Sequence, residues 1–474
     1  MGMRGIAFTS GSGNHYFYDD DSGLIFPNAD EASSPYDGPR LAIRPLGDRQ
    51  APARGVTPEA VRSHHLDHAY GFRHLILELT ADCNLRCRYC VYSENYPNNR
   101  TYTAARMTAS TARDAIDAFM RNHDVVHHRN PSSRPIVGFY GGEPLLAFDV
   151  MQEAVEHFER SYRAAYPTAL FSLTTNGMLL EDPVQDFLVE HGFSTIVSID
   201  GPKDVHDRNR LTVGGRGSFE QVARNVDRFR ERHPGYDRLA VSVCYDLDTD
   251  FEELERFFDE KKLFVVSVSQ INPNHSTYYS RFTPEQARHF LERTEAFHRK
   301  YVAAAREDRI EKGSFLYSYL GVAFASFAFH PVTTERRPAF LPYTGTCVPG
   351  EKLYVATDGT LHMCERINPH FPVGSIAGGI DYARVAEIID RYNEQICGAC
   401  AGCPLTRLCD RCFATTATDR GFALVEGHCQ RMIDSVRRSL VDYVDIAEAR
   451  PDLLEDVTID YHRNLLAKVG FVVE

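Results

Sequence analysis

The chain has 474 residues and a formal net charge of −13, with 43% hydrophobic and 25% charged residues. That length exceeds what one compact core usually organises, so two or three packed units are expected. No apolar run is long enough to span a bilayer, and the acidic balance argues against nucleic-acid binding, which needs a basic face.

Met1-Gly2-Met3-Arg4-Gly5 lacks the apolar stretch of an export signal, so the expected compartment is the cytoplasm, with no membrane partner. Thiols stay reduced there, so among the twelve cysteines the clustered ones read as metal ligands rather than as disulfides. Residues 1–70 form a first unit. Within it, 15–26 reads as two short strands about a polar turn, 35–52 as a connector rich in Pro, Gly and Asp, and 57–70 as one short helix. From residue 71 the pattern alternates. Apolar runs at 75–79, 136–140, 170–173, 195–199, 239–245 and 263–268 are separated by helical patterns at 112–120 (after the N-cap candidate Thr108), 149–162, 219–232 and 250–261. Six strand–helix units in series predict an α/β fold with a parallel sheet and right-handed crossovers, curled into a partial (β/α)6 TIM-like barrel over 71–310. Its chemistry belongs at the C-terminal ends of the strands. A long amphipathic helix at 284–307 closes this unit, and 311–344 reads as a linker. Residues 345–435 are poor in long regular elements and hold eight cysteines; so small a region is expected to be held together by metal clusters. Residues 436–474 read as a C-terminal helix and tail, with Leu440, Val441, Val444 and Ile446 as its apolar stripe.

Directly after the first barrel strand lies Cys83-Asn84-Leu85-Arg86-Cys87-Arg88-Tyr89-Cys90, spaced C-x3-C-x2-C. Three thiolates can ligate three irons of a four-iron cubane and leave the fourth iron open. On spacing alone, a zinc site with a fourth ligand from elsewhere accounts for the triad as well. The loop, with an aromatic residue before its last cysteine, resembles the signature of the radical S-adenosylmethionine (SAM) superfamily. The resemblance implies a [4Fe–4S] cluster on Cys83, Cys87 and Cys90 that chelates SAM and reduces it to a 5′-deoxyadenosyl radical, with Tyr89 packed near the adenine. Gly141-Gly142-Glu143-Pro144, one strand later, resembles the family's GGEP motif, which binds the SAM amino group. Asn176 and Ser198, at the ends of the third and fourth strands, match positions near SAM; Asp200 beside them reads equally as a turn cap. His206-Asp207-Arg208-Asn209-Arg210 followed by Gly215-Arg216-Gly217-Ser218-Phe219 resembles a pattern of peptide- and protein-modifying members, in which Arg210 pairs with a carboxylate of SAM or of substrate; a surface salt bridge is the competing reading.

Cys244, alone in the fifth strand, reads as a small core residue. The remaining eight, Cys347, Cys364, Cys397, Cys400, Cys403, Cys409, Cys412 and Cys429, suffice for two further [4Fe–4S] clusters. Their array resembles the SPASM domain of radical SAM maturases, departing from it by a shortened Cys409–Cys412 spacing and the additional Cys397. The resemblance implies one auxiliary cluster on Cys347, Cys364 and Cys412 and a second on Cys400, Cys403, Cys409 and Cys429. Cys397 or a substrate group would complete the first. Paired zinc sites are the alternative. Glu365 corresponds to the base of sulfatase-maturing relatives, against the reading of a solvated charge; Tyr343, His362 and Arg366 are nearby candidates. The implied function is a maturase of ribosomally made peptides that installs a thioether, ether or carbon–carbon cross-link, with auxiliary clusters accepting an electron. The implied partners are a precursor peptide, its leader held by residues 1–70, and an electron donor such as flavodoxin or ferredoxin. The alternatives are a sulfatase-type maturase forming formylglycine, and a non-catalytic electron-transfer or zinc protein.

Overall fold

The computed structural model describes residues 5–28, 55–67, 71–329, 347–400, 403–409 and 411–460. The expected connector at 35–52 and the candidate Tyr343 lie outside them.

Strands β1 (Gly5–Thr9), β2 (His15–Asp19) and β3 (Ile25–Pro27) make an antiparallel three-stranded sheet. The expected pair is β2 and β3; β1 is an addition. Helix α1 (Pro58–Asp67) follows. Then come β4 (His74–Thr80), α2 (Ala109–Arg129), β5 (Ile136–Gly141), α3 (Phe148–Ser161), β6 (Leu170–Thr175), α4 (Asp182–Glu190), β7 (Ser194–Ser198), α5 (Lys203–Asn209), α6 (Phe219–Arg232), β8 (Leu239–Tyr245), α7 (Phe251–Lys261) and β9 (Val265–Gln270). Strands β4 to β9 pair in parallel in that order, as the alternation predicts. Side-chain hydroxyls and carboxylates start the helices where the sequence places them: Thr108 accepts from Thr111 N at α2, and Asp250 from Glu252 N and Glu253 N at α7. Helix α8 (Pro284–Arg306) opens on a full capping box between Thr283 and Gln286.

The pleat sorts the side chains of the parallel strands. Leu75, Leu77 and Leu79 of β4, Val137 of β5, Phe171 and Leu173 of β6, and Val241 of β8 enter the core shared with the helices. Ile76, Gly138, Ser172, Thr174, Ser198 and Ser242, on the other face, line a cavity. All six parallel strands contribute to that one cavity, which requires the sheet to curve around it.

Two expectations are corrected. The supposed linker contains α9 (Phe315–Phe329), a helix apolar on every side that packs on β9, α7 and the C-terminal helices. The cysteine-rich region does not depend on clusters alone for cohesion. Its strands β10 (Lys352–Val355), β11 (Thr360–His362), β12 (Pro372–Ser375) and β13 (Gly379–Ile380) extend the large sheet to ten strands, with β10 parallel to β4 and Lys352 opposite His74. Helix α10 (Tyr382–Gln395) buries Val385, Ile388, Ile389 and Tyr392, and the Tyr392 ring packs tilted against Phe413 and edge-to-face with Phe422. The short α11 (Phe413–Thr416), α12 (His428–Ala449) and α13 (Pro451–Asp460) complete the described chain. The boundary expected at residue 436 therefore falls inside α12. Among the described residues, no helix is long and apolar enough to cross a membrane.

Candidate active site

The cysteine loop is held from two sides by backbone hydrogen bonds. On one side Gly142 N donates to Thr80 O (2.8 Å) and Glu143 N to Asp82 O (2.9 Å); on the other, Arg86 N donates to Leu211 O (2.7 Å) and Arg88 N to Asn209 O (3.0 Å). The glycine pair is required by this approach: a Cβ on Gly142 would lie 2.1 Å from Asp82 O. The segment around Arg210 is fixed in turn by its own motif. Asp207 accepts from Ser218 N and Phe219 N, the Ser218 hydroxyl donates to Arg210 O, and a Cβ on Gly217 would meet the Asp207 carboxylate.

Cys83, Cys87 and Cys90 line one cavity of about 530 Å³ with Tyr89, Gly141, Gly142, Glu143, Asn176, Ser198, Arg210 and Glu365. Burial pushes the Cys83 thiol up to about 12 and raises Cys87 and Cys90 as well. Such thiols hold their protons until a metal displaces them. Three soft donors on one loop, facing one space, fit three corners of a cubane. Among the described residues, no three His, Cys, Asp or Glu side chains converge as a site for a single metal ion.

The residues expected around SAM are brought together, several of them already engaged with each other. Glu143 is buried, and its carboxylate accepts from Leu145 N (3.1 Å), Thr175 Oγ1 (2.7 Å) and Asn176 N (2.8 Å), tying β5 to β6. Burial raises its pKa against those hydrogen bonds. Asn176 Nδ2 donates to Asn84 Oδ1 (2.7 Å) and approaches Cys83 Sγ at 3.6 Å. Asp200 is no turn cap: its Oδ2 accepts from the Tyr89 hydroxyl (2.6 Å) and Arg210 Nε (3.1 Å). Arg210 lies over the Tyr89 ring at 5.4 Å. Arg210 is thus in a buried ion pair, not a surface one.

Glu365 is not a solvated charge. It reaches the same cavity from the cysteine-rich region, with Lys352 Nζ 3.2 and 3.3 Å from its two oxygens. Burial acts to raise its pKa, but Lys352 and then Arg366 more than offset it and hold the carboxyl at about 2. His362 is buried against Tyr354 and does not line the cavity described here. Sequence reasoning missed Lys352, because the register of β10 against β4 leaves no local signal. It also missed Cys244, read as core; this side chain lines the cavity, and period-two alternation with Ser242 would have placed it there. Tyr102, another lining residue, acts against the upward push of burial on the Cys90 thiol.

Of the cysteines expected in the first auxiliary set, Cys364 and Cys412 both lie near enough to Cys347 to disfavour its thiolate, and Cys412 near enough to Cys364 to do the same. The fully buried Cys397 opens a short turn through Cys400, whose thiol donates to Ile396 O. Cys403 N donates to Cys400 O at 3.0 Å. Cys403 and Cys409 flank a turn, and Cys429 is exposed in the first turn of α12.

The radical SAM superfamily model matches residues 77–260. The chain is 26% identical over 222 residues to a cysteine-type anaerobic sulfatase-maturating enzyme of Clostridium novyi (strain NT), covering 46% of this chain and 57% of that protein. It is 28% identical over 192 residues to a serine-type anaerobic sulfatase-maturating enzyme of Bacteroides thetaiotaomicron, covering 39% of this chain and 43% of that protein. The chain thus spans about half the length of these relatives. Among solved structures, anSMEcpe with bound AdoMet shares the fold at a TM-score of 0.58 and 18% identity, covering 84% of this chain and 98% of that one.

Proposed function

From the match of residues 77–260 to the radical SAM superfamily, we propose that the chain is a cytoplasmic peptide maturase of that superfamily that oxidatively modifies a residue of a ribosomally made peptide, closing an intramolecular cross-link. The carrying observation is the shared cavity. The cysteine triad of the barrel and Lys352, Glu365 and Arg366 of the cysteine-rich region line the same space, so a substrate held beside SAM also touches the region expected to carry the auxiliary clusters. The solved relative anSMEcpe binds both AdoMet and the Cp18Cys peptide, which supports a peptide as substrate.

When bound, the cluster supplies the electron that cleaves SAM and yields the hydrogen-abstracting radical. The chain's own residues do the rest. Cys83, Cys87 and Cys90 hold the cluster; Gly141, Gly142, Asn176 and Ser198 line the space for SAM; Tyr89, fixed by Asp200 and Arg210, walls it. Glu143 braces β5 against β6 and keeps lone pairs for the SAM ammonium. Cys347, Cys364 and Cys412, with Cys397 or substrate, and Cys400, Cys403, Cys409 and Cys429 hold the two auxiliary clusters. A flavodoxin or ferredoxin provides reducing electrons. Glu365 is the candidate base. It is ionised at any working pH, the form a base requires.

The sulfatase-maturating relatives favour a second reading, formylglycine formation. Anaerobically reconstituted enzyme, SAM, dithionite and candidate precursor peptides separate the two. A cross-link removes two hydrogens; formylglycine from Cys also exchanges sulfur for oxygen, and the isobaric aldehyde from Ser is captured by a hydrazide. About twelve irons per chain fit three cubanes. Absence of 5′-deoxyadenosine, or zinc in place of iron, would overturn both readings.

A further inference from the structure

The cysteine-rich region gives the cavity two cations and one anion: Lys352, Arg366 and Glu365. Lys352 lies within 3.2 and 3.3 Å of the two Glu365 oxygens, so that pair is neutral. Arg366 pairs with Glu365 only loosely. Its Nε is 3.8 Å from Glu365, and its side chain is 77% exposed although it lines the cavity. Among the described residues its guanidinium makes no hydrogen bond. The cavity's other arginine, Arg210, is buried and answered by Asp200 at 3.1 Å. In a chain of net charge −13, the cavity thus holds a guanidinium fork whose N–H donors are not engaged by Glu365, walled by protein but open to solvent. A planar fork of N–H donors matches a planar carboxylate, and the bond strengthens once a ligand expels water.

We infer that Arg366 binds a carboxylate of the peptide substrate, so that the site selects peptides bearing an acidic side chain or a free C-terminus at the residue undergoing modification. This rests on the maturase reading above. It makes Arg366 a specificity-determining residue.

The test is calorimetric titration of reconstituted, SAM-loaded enzyme with three pentapeptides: acetyl-Gly-Ala-Asp-Ala-Gly-amide, its Asn counterpart, and acetyl-Gly-Ala-Ala-Ala-Gly with a free C-terminal carboxylate. At least one carboxylate peptide is expected to bind about tenfold more tightly than the Asn peptide, as for a charge-assisted hydrogen bond. The stronger of the two identifies the source of the carboxylate. Arg366→Gln removes the preference, and Arg366→Lys retains part of it as a point charge. Equal binding of all three peptides, or a preference that survives Arg366→Gln, overturns the inference. So does an Arg366→Gln protein with weakened SAM binding and an unchanged Asp-to-Asn ratio, since Arg366 would then hold SAM's own carboxylate. Formation of 5′-deoxyadenosine by the wild type is scored separately. If SAM is not cleaved but the Arg366-dependent preference is present, the maturase reading fails and the carboxylate site stands.

Discussion

Asp200 is 2% exposed, and a carboxylate at that depth is stable only when its oxygens are answered. One oxygen takes the Tyr89 hydroxyl and the Arg210 guanidinium, the other the Cys244 amide. Arg210 is equally dependent: burial opposes its charge, and Asp200 leads the interactions that keep it protonated. Asp200→Asn keeps the shape and removes the charge, stranding a buried guanidinium. The expected loss is about 3 kcal/mol of stability, read as a shift in the denaturant midpoint, with weaker SAM binding because Tyr89 loses its anchor. The double variant Asp200→Asn/Arg210→Met recovers part of that stability, since neither charge remains. An Asp200→Asn protein within about 0.5 kcal/mol of wild type would show that the pair does not support the site. The sequence marked Asp200 and Arg210 separately. It did not show that they bind each other, because they lie on different elements and no local spacing encodes the contact.

Among the elements, the six parallel strands were legible because buried strands leave continuous apolar runs, and the main helices because their caps and periodicity are local. Helix α9 and strands β10 to β13 were among those that were not. Helix α9 is apolar all round and leaves no periodic stripe. Strands β10 to β13 are two to four residues long, and β10 finds its partner β4 nearly three hundred positions away. That pairing brings Lys352 to the cavity beside Glu365 and Arg366, so the missed strands explain why Lys352 was missed. The contact between β5 and the cysteine loop is the element-scale feature most open to test. Gly142→Ala places a methyl against the Asp82 backbone carbonyl, which cannot rotate away. Overpacking of this kind costs about 1–3 kcal/mol, and the strain falls on the loop that presents Cys83. About four irons per chain should be lost, with SAM cleavage, while circular dichroism stays unchanged. Full iron content in Gly142→Ala would mean that the loop accommodates the methyl without losing its cluster geometry.

Across the whole molecule, the N-terminal sheet is braced against the C-terminal third. Gly11 N donates to Asp445 Oδ1 and the Tyr16 hydroxyl to Glu448 Oε1 (2.8 Å), both on α12. The turn after β2 grips the segment between Cys403 and Cys409: Asp20 accepts from the Thr406 hydroxyl and from Arg407 N (2.8 Å), and Arg407 returns its guanidinium to the carbonyls of Asp20 and Asp21. Asp20 is 2% exposed, so these hydrogen bonds have little competition from water. Two cysteines expected in the second auxiliary set are therefore positioned by a residue nearly four hundred positions upstream, a dependence that cysteine spacing cannot reveal. Asp20→Ala leaves the Thr406 hydroxyl and the Arg407 amide without their acceptor, at a cost of about 1–3 kcal/mol, and frees the turn. Because the Cys83 loop lies in a different part of the chain and rests on β5 and the Arg210 segment, SAM cleavage to 5′-deoxyadenosine should persist while iron falls by about four per chain. The two readouts separate the sites: loss of both would mean that the clusters assemble as one folding unit, and retention of all iron would show that the N-terminal sheet does not hold the auxiliary cysteines in place.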